Sequence, residues 1–118
     1  MKTITFFVLM LLSANCLAMS GNDVLNNCGA LFQENKTIEQ TMDGLNCVGY
    51  VGGLNDMAVL YAGITKVPFY CPPRKEGLET GQVVRVFLMW LESHPAELHE
   101  SARSLFISAM GDSFPCEP

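Results

Sequence analysis

The sequence predicts a small all-α protein, a bundle of about four helices around one central apolar helix, stapled by two disulfides. Three observations predict this class. Residues 81–91 are apolar around most of a helical wheel, and three other segments repeat apolar residues at helical spacing. Four cysteines follow an N-terminal export signal. At 118 residues and 49% hydrophobic, the chain can bury one modest core.

Residues 1–18 have the pattern of a secretory signal peptide. Lys2 precedes an apolar run, and small residues follow around Ala18. The run is too short to span a bilayer, so a membrane anchor is not expected. We predict cleavage after Ala18 or after Ser20, which leaves residues 19–118 as a single helical domain in the periplasm.

The charge of the exported chain restricts its partners. Residues 19–118 contain six basic and twelve acidic side chains, a net charge of −6. Nucleic acid binds proteins through clusters of Lys and Arg, so it is not an expected partner. After signal cleavage we expect no membrane association either.

Four cysteines in a short exported chain indicate two disulfides. Cys28 and Cys47 lie at the centres of the apolar stripes of two consecutive helices, whereas Cys71 and Cys116 both lie beside prolines. We therefore predict the pairs 28–47 and 71–116. A fifth cysteine, Cys16, falls within the signal and is not preceded by the small residue that lipid attachment favours.

Apolar spacing, capping residues and stop signals define the helices. The third helix could instead be a buried strand, because its first half is β-prone. Its length, the possible N-cap at Thr80 and the His94-Pro95 stop favour a helix. The predicted helices are residues 20–34, 41–62, 80–93 and 95–110.

One side of the second predicted helix is rich in glycine. Gly49, Gly52, Gly53 and Asp56 lie opposite its apolar stripe. Each glycine weakens a helix by roughly 1 kcal/mol relative to alanine, so a compensating contact is expected. We predict that another helix packs closely on this side. A ligand approaching the backbone is the alternative, although the chain has no phosphate-loop pattern.

No residue pattern indicates catalysis or a cofactor. The four exported cysteines are expected in disulfides, which leaves no thiol nucleophile. His94 and His99 are five residues apart, and that spacing places two helical residues on different faces. We therefore expect no enzyme activity and no metal site.

Five motifs spread along residues 47–116 occur together in this chain. They are CVGYVGGLND (47–56), YCPP (70–73), TGQV (80–83), WLESHPAELHESA (90–102) and FPC (114–116). Together they resemble the Rap/Tai family of immunity proteins, and the resemblance covers nearly all of residues 19–118. Its most specific parts are His94-Pro-x-x-Leu-His-Glu100 and the final Phe-Pro-Cys. The resemblance implies a periplasmic, all-helical, disulfide-bonded protein that binds and occludes a peptidoglycan amidase toxin delivered by type VI secretion.

Acidic residues suited to such a partner concentrate at two places. An enzyme acting on anionic cell wall is expected to present a basic cleft, toward which a chain of net charge −6 would be steered. Each acid taken singly could equally be a solvated residue at a helix start. The predicted partner-binding residues are Glu76, Glu79, Glu92, His94, Glu97 and Glu100.

The resemblance, an exposed Ile107 and the apolar third helix also suggest a homodimer. Two other functional classes stay open at this point. One is a small periplasmic chaperone or stress-binding protein, and the other is a secreted carrier with an internal lipid cavity.

Overall fold

The computed structural model describes residues 18–73 and 76–118, and this part of the chain is helical, with no strand. The predicted all-α class is confirmed. The predicted signal peptide lies outside the described residues except for Ala18. No helix in the described part is both long and apolar enough to cross a membrane. The helices are α1 (Gly21–Gly29), α2 (Ile38–Thr65), α3 (Thr80–Ser93) and α4 (Ala102–Ser113).

Helix α3 is the centre of the bundle, as its composition predicts. It packs against α1, α2 and α4, and the Phe87 ring meets Phe106 of α4 edge to face at 5.4 Å between centroids. Thr80 is the first helical residue rather than the N-cap, because Glu79 is the last residue with an extended backbone. The buried residues of α3 are Val83, Val84, Phe87, Leu88, Trp90 and Leu91.

Helix α1 begins at the predicted cap and ends early. The Ser20 hydroxyl accepts a hydrogen bond from the Asp23 N–H at 3.2 Å, and the Asp23 carboxylate accepts one from the Ser20 N–H at 2.8 Å. This reciprocal pair is a capping box. The α-helix ends at Gly29, and a 3₁₀ turn, Ala30–Phe32, replaces the last predicted turn.

Helix α2 starts before the predicted residue 41. A second capping box, between Thr37 and Gln40, closes its first turn with hydrogen bonds of 3.1 and 2.9 Å. The cap therefore lies in the segment between the first two predicted helices. The helix continues to Thr65 and ends where Lys66 adopts the left-handed conformation, with φ 62°.

Helix α4 begins at Ala102, not at the predicted Pro95, which instead opens a single 3₁₀ turn. In a continuous helix the Leu98 carbonyl would accept from the Ala102 N–H. Here it accepts from the Asn22 N–H at 2.9 Å, while the Ala102 N–H donates to the Met19 carbonyl at 2.7 Å. Met19 and Asn22 thus bind the two backbone groups whose hydrogen bond would have joined the 3₁₀ turn to α4 in one helix.

The C-terminal end of α4 also differs from the prediction. Gly111 does not end the helix, which continues to Ser113 and closes with a 2.8 Å hydrogen bond from the Phe114 N–H to the Met110 carbonyl. A Cβ at Gly111 would lie 3.6 Å from the Phe69 carbonyl oxygen. The last turn therefore packs against the loop that follows α2.

Both predicted disulfides are confirmed. Cys28–Cys47 lies in the core and joins α1 to α2, with 5.1 Å between Cα atoms. Cys71–Cys116 joins the loop between α2 and α3 to the tail, with 4.9 Å between Cα atoms.

Candidate partner-binding site

The loop between α2 and α3, residues 66–79, is held to the bundle near its middle. Besides its disulfide, Cys71 donates a backbone hydrogen bond to the Phe114 carbonyl at 2.8 Å. The buried Tyr70 donates its hydroxyl to Asn55 Oδ1 of α2 at 2.7 Å and meets Phe106 of α4 edge to face at 6.3 Å. The start of this loop is therefore tied to two helices.

Glu76, one of the predicted partner-binding residues, borders a cavity between this loop and α2. The cavity has a volume of about 330 Å³, and its lining residues include Glu76, Asp56 and Tyr70. Burial raises the pKa of the Tyr70 phenol, and the negative charge of Asp56 raises it further. Sequence reasoning did not connect Asp56 with Glu76, because residues twenty positions apart meet only through the fold.

Glu79 lies on the neighbouring surface at the start of α3. It borders a second, more polar depression together with Gln82 and Arg85. Glu79 is exposed and its side chain makes no capping hydrogen bond to the helix. Its carboxylate is therefore open to solvent.

The second predicted group lies at the other end of α3. Glu79 immediately precedes α3 and Glu92 lies in its last turn, so the two residues are about 20 Å apart along the helix axis. Glu92 and Glu100 are exposed, whereas Glu97 is half-buried. The structure therefore brings the six predicted residues into two separate groups, not one surface.

His94 is engaged within the fold. Its ring stacks on Trp90 with 3.8 Å between centroids and 11° between planes. Its Nδ1 lies 2.7 Å from the Trp90 carbonyl oxygen and 2.9 Å from Ser93 Oγ. The Trp90 indole N–H in turn donates to Asp112 of α4 at 2.9 Å. This group closes the C-terminal end of α3 and fixes the backbone that displays Glu92.

The predicted close packing on the glycine side of α2 is wrong for two positions. A Cβ built at Gly49 or Gly53 meets nothing within 4 Å among the described residues, while one at Gly52 meets Thr80 Cγ2 at 3.4 Å. Helix α3 therefore approaches α2 at Gly52, while the described residues leave Gly49 and Gly53 uncovered.

Large apolar side chains flank these open glycines on the surface of α2. They reach 86% exposure at Ile38 and 72% at Ile64. The sequence analysis did not predict this exposed apolar surface. A helical wheel of α2 has apolar residues on both sides, and that pattern could have indicated it. The exposed apolar residues of the face are Ile38, Met42, Leu45, Met57, Leu60 and Ile64.

Comparison with known protein families identifies the chain. A family model described as Rap1a immunity proteins matches residues 20–116. The chain belongs to the Rap1a immunity protein family. The match spans all four described helices and both disulfides, and it confirms the family indicated by the motifs. No curated protein matches the chain.

Membership of the Rap1a family implies binding to a toxin partner and suggests an inhibitor that acts without catalysis. The described residues contain no group of three His, Cys, Asp or Glu side chains that could hold a metal ion. The described residues present carboxylates on the loop between α2 and α3 and an exposed apolar face on α2.

Two reasons given above for a homodimer do not hold in this Rap1a-family protein. Ile107 is half-buried against the core and is not an exposed residue. Most apolar side chains of α3 are buried, with Met89 the exception at 70% exposure. Any support for a dimer must therefore come from α2.

Proposed function

We propose that this protein is exported to the periplasm, where it binds a peptidoglycan amidase toxin delivered by type VI secretion and occludes its active-site cleft. The observation that carries the proposal is the Rap1a family match over residues 20–116. The protein contributes no chemistry of its own and acts by covering the site. The net charge of −6 supports this proposal, because an enzyme that cleaves the anionic cell wall is expected to have basic residues around its substrate-binding cleft.

The loop between α2 and α3 is the proposed first contact. Glu76 and Glu79 project from a segment that the Cys71–Cys116 disulfide holds in place. A segment that is already fixed loses little conformational entropy on entering a cleft, so more of the contact energy appears as affinity. The cavity shared by Glu76 and Asp56 would accept a Lys or Arg side chain of the toxin.

The second acidic group, at the end of α3, is the proposed second contact. Glu92, Glu97 and Glu100 lie in the same stretch of chain as the stacked Trp90 and His94 rings. About 20 Å separates this group from the loop, so one toxin would have to reach around α3 to touch both. A dimer would instead present the two groups from different subunits.

Toxicity in the periplasm tests the proposal. The toxin to be used is any amidase whose gene is found to adjoin that of this protein. It is produced with a signal peptide, either alone or together with the immunity protein. Wild type should restore growth, while Glu76→Lys/Glu79→Lys or Glu92→Lys/Glu97→Lys/Glu100→Lys should protect less. The matched control, Glu34→Lys/Glu39→Lys, reverses two exposed acids at the start of α2 and should protect fully. If wild type neither binds nor protects, the proposal fails.

We further propose that the protein is a homodimer through the exposed face of α2. At 28 residues this helix is about 42 Å long. The six exposed apolar residues of this face and the two open glycines are arranged symmetrically about residue 51, as an antiparallel two-fold pairing requires. Asp56 would then face Asn46, so that no two carboxylates oppose each other. The matched pairs are Ile38 with Ile64, Met42 with Leu60, Leu45 with Met57, and Gly49 with Gly53.

The glycines allow the two helices to approach closely at the crossing point, because they carry no side chain. Leu at positions 49 and 53 would separate the helices without a clash in the monomer, since both positions are open. Light scattering should give the dimer mass for wild type and the monomer mass for Gly49→Leu/Gly53→Leu. Gly29→Leu, also at an open position, is the control and should stay dimeric. A wild-type monomer at tens of micromolar would contradict the pairing.

The fold also favours one of the two signal cleavage sites. Ser20 caps α1, and the Met19 carbonyl accepts from the Ala102 N–H at 2.7 Å. Cleavage after Ser20 would remove both contacts, whereas cleavage after Ala18 keeps them. We therefore propose Met19 as the first residue of the exported protein, which the intact mass of periplasmic material would test.

The chaperone alternative rests on the same exposed face of α2, since chaperones bind unfolded clients through apolar surfaces. It predicts that Gly49→Leu/Gly53→Leu, with its face uncovered, prevents the aggregation of a denatured client better than wild type. The immunity proposal predicts no such activity in either protein.

A further inference from the structure

A groove between α2 and α4 has no part in the proposed toxin contacts. Its volume is about 370 Å³, and apolar side chains form most of its lining. Ala58 and Phe106 are buried and form the floor. Tyr61 and Phe69 stack with 4.6 Å between ring centroids and form one wall. Concave apolar sites of this size with a few polar groups are typical of sites for small molecules.

Among the residues that the structure describes, one cation borders this groove. Arg103 of α4 lies at its edge beside Ser104 and is exposed. It is one of six basic residues in an exported chain that carries twelve acids. Tyr50 lies one helical turn before the groove residue Leu54. Burial raises the pKa of the Tyr50 phenol, and the positive charge of the nearby Arg103 opposes that rise. The rim at Arg103 therefore favours a negatively charged group.

We propose that this groove binds an anionic amphiphile, a medium-chain fatty acid, with its carboxylate on the Arg103 guanidinium and its acyl tail over Ala58 and Phe106. Charge complementarity fixes the head group, because a carboxylate forms two parallel hydrogen bonds with a guanidinium. The floor and the stacked wall offer the tail an apolar surface. This inference does not depend on the identity of any toxin.

An apolar groove beside Arg85 of α3 suits such a ligand less well. It lies beside Phe32 and Met89 and has a smaller volume, about 220 Å³. The Arg85 guanidinium already lies over the Phe32 ring, 5.8 Å from its centroid, and the Glu92 carboxylate borders the same space. A bound carboxylate there would compete with the Phe32 ring for the Arg85 guanidinium and would be repelled by Glu92. Its residues therefore provide matched controls.

Isothermal titration of the exported protein with octanoate, decanoate and dodecanoate tests the inference. We expect one molecule per chain and an affinity that rises by up to about fourfold per added methylene until the groove is full. Arg103→Glu should weaken dodecanoate binding by about tenfold or more, because it replaces the ion pair with repulsion. Phe69→Glu, which replaces one ring of the stacked wall with a carboxylate outside the proposed dimer face, should weaken it similarly.

Two controls introduce a carboxylate outside the groove. Arg85→Glu and Met89→Glu alter exposed residues of α3 and should bind dodecanoate as wild type does. Circular dichroism of all four variants separates loss of the site from loss of the fold. The inference is overturned if dodecanoate does not bind wild type. It is equally overturned if the groove variants bind like the controls, or if dodecyltrimethylammonium binds as tightly as dodecanoate.

Discussion

The backbone N–H of Cys71 donates to the carbonyl of Phe114 at 2.8 Å, two residues before Cys116, the disulfide partner of the same cysteine. The loop and the tail are thus joined twice, once by a covalent bond and once by a hydrogen bond. This double connection fixes the start of the segment that carries Glu76 and Glu79. The same disulfide is therefore expected to stabilise the fold and to position the loop proposed to contact the toxin.

The variant Cys71→Ala/Cys116→Ala should lower the free energy of unfolding by about 4 kcal/mol, because the bridge closes a long loop in the unfolded chain. The two cysteines are 45 residues apart, and Cys116 is exposed, so little packing is lost with the bridge. Urea denaturation measures the change. A loss below about 1 kcal/mol would show that the bridge does not restrict the unfolded chain as this model requires.

Asp112→Ala should destabilise the protein by about 1–3 kcal/mol, because it leaves the indole N–H of the buried Trp90 without its acceptor. Asp112→Asn keeps a carbonyl oxygen at the same place and should cost less. Thermal unfolding of both variants checks the order. Equal stability of the two would mean that the hydrogen bond is not the source of the effect.

Two glycine-to-alanine substitutions should act in opposite directions. At Gly21 a Cβ would lie 2.7 Å from Leu105 Cδ1 and 3.1 Å from the backbone of Leu98, so Gly21→Ala should destabilise by about 1–3 kcal/mol. At Gly53 the space is open, and Gly53→Ala should stabilise the monomer by up to about 1 kcal/mol. Denaturation at a concentration below the dimer range compares them, and a stabilising Gly21→Ala would contradict the close packing of α1.

The α1 capping box should make stability depend on pH in acid. Hydrogen bonds from the Ser20 N–H and hydroxyl hold the pKa of Asp23 below its ordinary value of 3.8. The ionised carboxylate is therefore favoured in the folded state, and its contribution is present above the unfolded pKa and lost as pH falls through the folded one. The difference in unfolding free energy between wild type and Asp23→Asn should be constant above about pH 5 and shrink below 3.8. A difference that persists in strong acid would contradict this origin.

The sequence was sufficient where the determinants are local. The apolar spacing of α3 and the positions of the cysteines each act within a few residues or between neighbouring helices. They predicted the fold class, the central helix and both disulfides. The start of α4 could not be read in this way, because Met19 and Asn22 bond to Ala102 and Leu98 from the other end of the chain.

The candidate site was less accessible to sequence reasoning. A helical wheel shows that Gly49 and Gly53 form a separate side of α2, but it cannot tell whether another helix of the same chain covers that side. The cavity between Asp56 and Glu76 depends on the path of the loop, which Tyr70 and its hydrogen bond to Asn55 determine. These contacts are tertiary and carry no local pattern.

The affinity of the purified protein for the toxin encoded beside it tests the central claim most directly. Biolayer interferometry should give nanomolar binding to an amidase, with an association rate that falls as salt is added. Glu76→Lys/Glu79→Lys should weaken binding by about tenfold or more, while Glu34→Lys/Glu39→Lys should leave it unchanged. Absence of binding by the wild-type protein, or equal affinity of the two charge-reversed variants, would contradict the account.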